Sequence, residues 1–273
     1  MISEKRLQTI KKIKELEASQ SWDSEVEENP ETIVLMPDKV DYLCEKFSSK
    51  IKTKIGNFVA KTFYEKQIRK KNLVIKEVVG LENYTQVKGG VVITCNHFNP
   101  FDNYVIDKIV RVNFKRGQRL YKVIREGNYT SFPGLFGFMF RNCNTLPLSS
   151  NKDTMKKFLK SIDVLLKRGE TVLVYPEQSM WWNYRKPRPL KNGAFRFAVK
   201  SGVPVVPAFI CMSDSDRLDG DGCPIQEYTV YLSKPIYPQP NLTDKENQEY
   251  IKEENYRVWK EIYEQFYKTP LTY

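Results

Sequence analysis

One histidine occurs in the 273-residue chain, His97, and an aspartate, Asp102, follows it five positions later in the stretch VVITCNHFNPFDNYVID. The apolar run Val91, Val92 and Ile93 stops at Asn96 and His97, and Pro100 bars a helix from starting at the imidazole. The spacing predicts a loop histidine at the end of a buried strand. Asp102 opens a second periodic segment, with Tyr104, Val105, Ile106, Ile109 and Val110, as helix N-cap or first-turn acid. A tight turn then brings its carboxylate to the ring. Such a carboxylate holds one ring nitrogen as a donor and leaves the other to accept a proton, the orienting half of a catalytic triad.

A nucleophile belonging to the chain is missing. There is no GxSxG elbow, and Ser179 follows Glu177 without a second histidine to serve it. Cys95 is close enough in sequence to pair with His97, although a buried strand cysteine is the simpler account. Neither a Walker-type loop nor GxGxxG occurs, which argues against nucleotide-driven chemistry. A lone His and Asp at a strand end is more often structural than catalytic. If it is catalytic, what remains is a base that activates a hydroxyl or amine supplied by the substrate, which attacks an acyl group activated elsewhere.

The elements that position the pair follow from composition and period. With 41% hydrophobic and 28% charged residues, the chain can bury a core as one large domain, or as a domain with an appended segment. A net charge of +11, from 44 Lys and Arg against 33 Asp and Glu, predicts a polyanionic neighbour, nucleic acid or an anionic membrane surface. The 13% aromatic content suits lipid interfaces and base stacking alike. Five cysteines without a CxxC pair argue against a disulfide framework or zinc site and for a reducing, intracellular compartment. No apolar run approaches the roughly 20 residues that span a bilayer, so the chain reads as neither secreted nor transmembrane.

Residues 1–37 read as a short charged helix and an acidic linker closed by Pro30, both peripheral. Residues 38–72 form a basic amphipathic helical segment. In it Leu43, Phe47, Ile51, Ile55, Phe58, Val59 and Phe63 recur at spacings of three and four, beside Lys46, Lys50, Lys54 and Lys61. This segment either packs on the core or rests on anionic lipid. Residues 73–273 make the domain proper. Strands are predicted at 73–79, 91–94, 120–124, 145–148, 171–175 and 204–212, and an edge strand at 226–232, after a Gly/Asp-rich turn at 214–222. Asp153 is the expected N-cap of a helix stopped at Gly169, and Thr243 with Glu246 makes a capping box for a C-terminal helix. Residues 131–140 form a turn and a short helix that lines an acyl pocket or fills core. The alternation predicts an α/β fold, with a central, mainly parallel or mixed sheet flanked by helices. A loop packs Trp181, Trp182 and Tyr184 beside Arg185, Lys186, Arg188 and Lys191, and the two tryptophans are expected to bear on vesicle binding.

NHFNPFD resembles the HxxxxD motif of the glycerolipid acyltransferases, the 1-acylglycerol-3-phosphate acyltransferase family. VYPEQS, ending at Ser179, is similar to the family's strand-end Phe-Pro-Glu-Gly-Thr-Arg block, PGLFGFMFR stands where its second region begins, and LKNGAFRFAVKSGVPVVPAFI resembles the segment ending in its Val-Pro block. The resemblance covers about 73–232. It implies His97 as base, Asp102 as orienter, Glu177 as a substrate-site residue and Pro207 as a pocket shaper. Two departures stand out: Gln178, Ser179 and Met180 replace Gly-Thr-Arg, and the arginine expected to close the second block is replaced near Ser149 and Ser150. In the family both arginines are associated with the acceptor's phosphate. Arg141, Lys122, Arg125, Arg185, Arg188 and Lys191 are the cations to which that anion would fall, unless they are simply solvated.

The resemblance implies transfer of a fatty acyl group, in phospholipid synthesis, from acyl-CoA or acyl-carrier protein to the free hydroxyl of a lysophospholipid, 1-acylglycerol 3-phosphate first. Neither a cofactor nor a metal is expected, and the location is peripheral on the cytoplasmic, inner face of a membrane. The rival readings are an acyltransferase for another polar lipid or an amine, and a basic nucleic-acid-binding domain; nucleic acid is not the expected partner.

Overall fold

The computed structural model describes residues 2–28 and 31–273, so Pro30 of the predicted linker lies outside the described residues. The domain is a seven-stranded sheet in the order β1-β7-β6-β2-β5-β3-β4. The strands are β1 (Val74–Val79), β2 (Val91–Thr94), β3 (Leu120–Ile124), β4 (Thr145–Pro147), β5 (Thr171–Val174), β6 (Val205–Leu218) and β7 (Pro224–Leu232). From β6 to β4 all neighbours are parallel, while β7 is antiparallel to β6 and β1 runs parallel to β7. The sheet is therefore mixed, with a parallel part of five strands. β2 and β5 are buried at every position, as their unbroken apolar runs require of strands covered on both faces.

Helices cover the two faces. On one lie α2 (Phe47–Arg69), α3 (Leu81–Thr85), α4 (Asp102–Arg111) and α6 (Gly134–Asn142), packed on Ile93, Leu120, Leu173, Val206 and Ile210. On the other lie α7 (Lys152–Lys167), α8 (Gly193–Ser201) and α9 (Asp244–Tyr267). α7 turns Phe158, Ile162, Leu165 and Leu166 inward, each 1% exposed or less, and full burial of such a side chain stabilises by about 1.5–3 kcal/mol. The short α5 (Glu126–Thr130) follows β3 directly.

Several boundaries differ from the sequence reading. β7 is interior, because β6 continues past residue 212 to Leu218 and hairpins back, which supplies β7 with one neighbour and leaves the other side for β1. Asn151, whose Oδ1 accepts the N–H groups of Asp153 and Thr154, caps α7 in place of Asp153. The capping box at Thr243 and Glu246 forms as predicted. α2 begins only at Phe47, since Asp41 takes the N–H groups of Glu45 and Lys46 in a turn and Cys44 has a φ of 54°.

The N-terminal segment is not peripheral. α1 (Glu4–Ala18) buries Thr9 and Ile13 and packs with Val26 on Trp181. Residues of the acidic segment reach basic partners far along the chain, Asp23 to Lys191 at 2.7 Å and Glu25 to Arg125 at 2.8 Å, while Glu27 turns back to Arg6 of α1 at 3.2 Å.

α2 has two faces. Gly56, Phe63 and Tyr64 pack inward, and a Cβ on Gly56 would lie 2.6 Å from the Asn142 carbonyl oxygen, so only glycine allows this approach to α6. Phe47, Ile51, Ile55 and Phe58 are 79%, 45%, 50% and 70% exposed. At about 100° per residue these four share the side opposite the packed one, with Lys50, Lys54 and Lys61 along one border.

Candidate active site

β2 and β5 are adjacent and in register from Val91 with Thr171 to Thr94 with Val174, so the loops that leave their carboxyl ends emerge side by side. This is where open α/β sheets assemble sites. Asn96 ties the first loop to β6: its amide donates to the Ile210 carbonyl at 3.1 Å and its Oδ1 accepts the Ile210 N–H at 2.8 Å. The His97 carbonyl accepts the Trp181 N–H at 3.2 Å, and the Phe98 carbonyl accepts the Asn183 N–H at 2.9 Å. Both sides of the histidine backbone are thus fixed.

Asp102 is the first residue of α4, with Phe101 at the N-cap. Its Oδ2 accepts from His97 Nδ1 at 2.7 Å and from the N–H groups of Phe98 and Asn99 at 3.2 and 3.3 Å. Its Oδ1 accepts the Tyr175 hydroxyl at 2.7 Å. Asp102 is 0% exposed, whereas the His97 side chain is 23% exposed. Four donors and the helix N-terminus compensate the buried carboxylate. The bond assigns the ring proton to Nδ1, which leaves Nε2 as the acceptor. The Tyr175 ring stacks on the imidazole, with centroids 4.0 Å apart and planes at 21°. In sequence, Tyr175 closes an apolar strand and so resembles core; its place beside Pro176 at a strand end is the signal that sets it apart.

Glu177 is 4% exposed and Arg188 1%. Glu177 Oε2 accepts the His97 N–H at 3.1 Å and Oε1 accepts the Arg188 N–H at 2.8 Å, while the Arg188 guanidinium faces Oε2 at 3.1 Å. Arg188 also donates to Ser179 Oγ at 2.9 Å and to the Ser179 carbonyl, and lies over the Trp181 ring. Of the eight residues predicted around the pair, these two are bonded into the His97 loop, and the guanidinium is closed off by protein. Trp181 is 0% exposed, with Nε1 donating to the Ser24 carbonyl, and Arg6 lies 3.8 Å over the Trp182 ring. The loop expected to meet vesicles therefore sits under the N-terminal segment.

Four of the other predicted cations have partners of their own. Arg125 meets Glu25, Lys191 meets Asp23, and Arg185 meets Asp214 at 2.7 Å and Gln226 at 3.2 Å. Arg141 donates to the carbonyls of Tyr129 and Phe132 at 3.2 Å, which fixes the turn between α5 and α6. Lys122 is buried on β3, in register with Thr145 and Leu173. Pro207 pairs with Thr94 inside the sheet. Near Ser149 and Ser150 stands a carboxylate: Glu126 accepts from Ser149 Oγ at 2.7 Å, the Ser150 N–H at 3.0 Å and the Leu35 N–H at 2.7 Å.

Neither alternative nucleophile is available. Cys95 is 0% exposed, and burial pushes its thiol well above the usual range, with the charges of Asp102 and Glu177 adding to the shift. Ser179 is buried under Arg188.

The acyltransferase family model matches residues 76–211. The 1-acyl-sn-glycerol-3-phosphate acyltransferase BAT2, chloroplastic, of Brassica napus is 28% identical over 172 residues, 59% of this chain and 45% of that protein. The chain thus spans a little under half the length of that relative. The crystal structure of the 1-acyl-sn-glycerophosphate acyltransferase PlsC from Thermotoga maritima aligns at a TM-score of 0.48 and 18% identity, over 83% of this chain and 98% of that one. His97, Asp102, Tyr175, Glu177 and Arg188 all fall inside the segment 76–211, by which this chain belongs to the acyltransferase family.

Proposed function

We propose that the chain transfers a fatty acyl group from a thioester, carried by coenzyme A or acyl-carrier protein, to the free hydroxyl of a lysophospholipid, with 1-acylglycerol 3-phosphate as principal acceptor. The reading rests on the 2.7 Å bond between His97 Nδ1 and Asp102, made by an imidazole whose side chain is 23% exposed. Nε2 takes the acceptor's proton as its oxygen attacks the thioester carbonyl, and collapse of the tetrahedral intermediate expels the thiolate, which the imidazolium reprotonates. With Cys95 and Ser179 buried, the hydroxyl of the substrate is the nucleophile and no acyl-enzyme forms.

The acceptor follows the name of the Brassica napus relative. The site works at an anionic membrane, on its cytoplasmic face, where Phe47, Ile51, Ile55 and Phe58 enter the interface and each bordering lysine contributes about 1 kcal/mol. A second reading, another polar lipid or an amine as acceptor, is favoured by the pairing of Arg125, Lys191 and Arg185 with acids of the chain itself.

The deciding assay supplies purified protein with a panel of lysolipids and both thioester donors. A folded His97→Ala variant is expected to lose about two to four orders of magnitude in turnover; near-wild-type transfer overturns the mechanism. Binding to single-stranded RNA without flotation on anionic vesicles at matched salt would transfer the case to nucleic-acid binding.

A further inference from the structure

Tyr175 touches both members of the pair. Its hydroxyl lies 2.7 Å from Asp102 Oδ1, and its ring lies 4.0 Å from that of His97. The opposite oxygen, Oδ2, holds His97 Nδ1. Phenol, carboxylate and imidazole therefore form one chain of two short hydrogen bonds, folded back so that its two rings stack. We infer that Tyr175 is a positioning residue that fixes the plane of the His97 ring and, through Asp102, sets how strongly that ring holds a proton; the catalytic part of this inference rests on the acyl-transfer reading above.

The direction of the effect follows from charge. A carboxylate that receives a strong donor at Oδ1 shares its negative charge with that donor, and so stabilises an imidazolium at Oδ2 less. The hydroxyl therefore makes His97 a weaker base than Asp102 alone would, which eases return of the proton to the departing thiolate. Burial, then the adjacent Asp102 charge, holds the Tyr175 phenol well above its ordinary value of 10.0, so the hydroxyl remains a donor.

The other ionisable groups around the pair come from different elements. Cys95 follows β2, Glu177 follows β5, Tyr64 lies on α2 and Tyr228 on β7. Burial pushes up the Cys95 thiol and the Tyr64 and Tyr228 phenols, which stay protonated, and Glu177 is paired with Arg188. Stacking adds the geometric half. An imidazole pinned at one nitrogen can still rock about that bond, and the parallel phenol limits the rocking, so Nε2 stays aimed at one place.

The single histidine makes the test direct, because its ring signals in an NMR titration need no assignment. Tyr175→Phe retains the stack and removes only the donor. The imidazole titration is expected to move to higher pH by about 0.5–1 unit. The acid limb of kcat/KM should move with it, and kcat should fall about three- to tenfold at unchanged KM. Tyr175→Leu, which also removes the stack, should lower kcat further. A Tyr175→Phe titration that superposes on the wild-type curve, or a KM effect without a pH shift, overturns the inference. If the titration moves as expected but wild-type protein transfers no acyl group, the reaction proposed above fails while the control of His97 by Tyr175 stands.

Discussion

The carboxylate of Glu177 holds the main-chain N–H of His97 at 3.1 Å and the guanidinium of Arg188 at the same distance through the same oxygen. The loop bearing His97 is thereby coupled to a buried ion pair on the neighbouring loop, so the partly exposed imidazole stands on a rigid mount. Preorganisation of this kind removes a reorganisation cost that would otherwise fall in the transition state.

Cutting that pair on one side is predicted to be severe. Arg188→Met or Glu177→Leu alone leaves a buried charge without its partner and should destabilise by about 3–5 kcal/mol. The two substitutions together should cost less than their sum. Urea unfolding of the three variants measures the coupling; additive losses would show that the two groups act independently.

Asp102→Asn removes the charge that orients the ring and offers Nδ1 an amide in its place. Turnover should fall by about two to four orders of magnitude with the fold retained. Activity near wild type, with an unchanged melting temperature, would reduce Asp102 to a first-turn acid of α4.

The exposed side of α2 should govern lipid association. Phe47→Ser with Phe58→Ser is expected to lower flotation on anionic vesicles about tenfold or more, given roughly 1.5–3 kcal/mol for each buried aromatic. Raising salt should weaken what binding remains, since the lysine contribution is screened. Retention of full binding by the double variant would remove α2 from the interface. Trp181→Ala, by contrast, should act on stability, because that ring is 0% exposed.

Acid should loosen the segment before α2. Burial pushes the Glu126 carboxyl up, but donors from Leu35, Ser149 and Ser150 outweigh it and hold the group below its ordinary value of 4.5. A depressed folded value means that the stabilisation is complete above 4.5 and is lost as pH falls through the folded value. Amide exchange at Leu35 and Ser150 should rise in that acid window, and Glu126→Gln should remove most of the pH dependence. Exchange that rises equally in the variant would refute the assignment.

The sequence carried the period-based elements and the histidine with its aspartate, because each depends on neighbours within a few positions. β2 and β5 announced themselves as unbroken apolar runs, and Pro100 placed His97 on a loop. What stayed hidden depends on distance along the chain. The contacts of Asp23 with Lys191 and Glu25 with Arg125 span 168 and 100 residues, so a charged opening looked peripheral and the cations looked free. The Tyr175 hydroxyl escaped for the same reason: its acceptor is 73 residues away. β7 was misread because whether a strand is an edge is decided by β1, which precedes it by some 150 residues, and not by its own pattern.

The pairing of β1 with β7 also orders events during synthesis. Val74 aligns with Glu227 and Val79 with Tyr231, so β1 leaves the ribosome with no ladder to join until nearly the whole sheet has been translated. The parallel strands around His97 can assemble first, and closure of β1 on β7 comes late, as expected for the most non-local contact of a sheet. Until then β1 must avoid unwanted partners, and Lys76 and Glu77, two charges in the middle of an otherwise apolar strand, provide that protection.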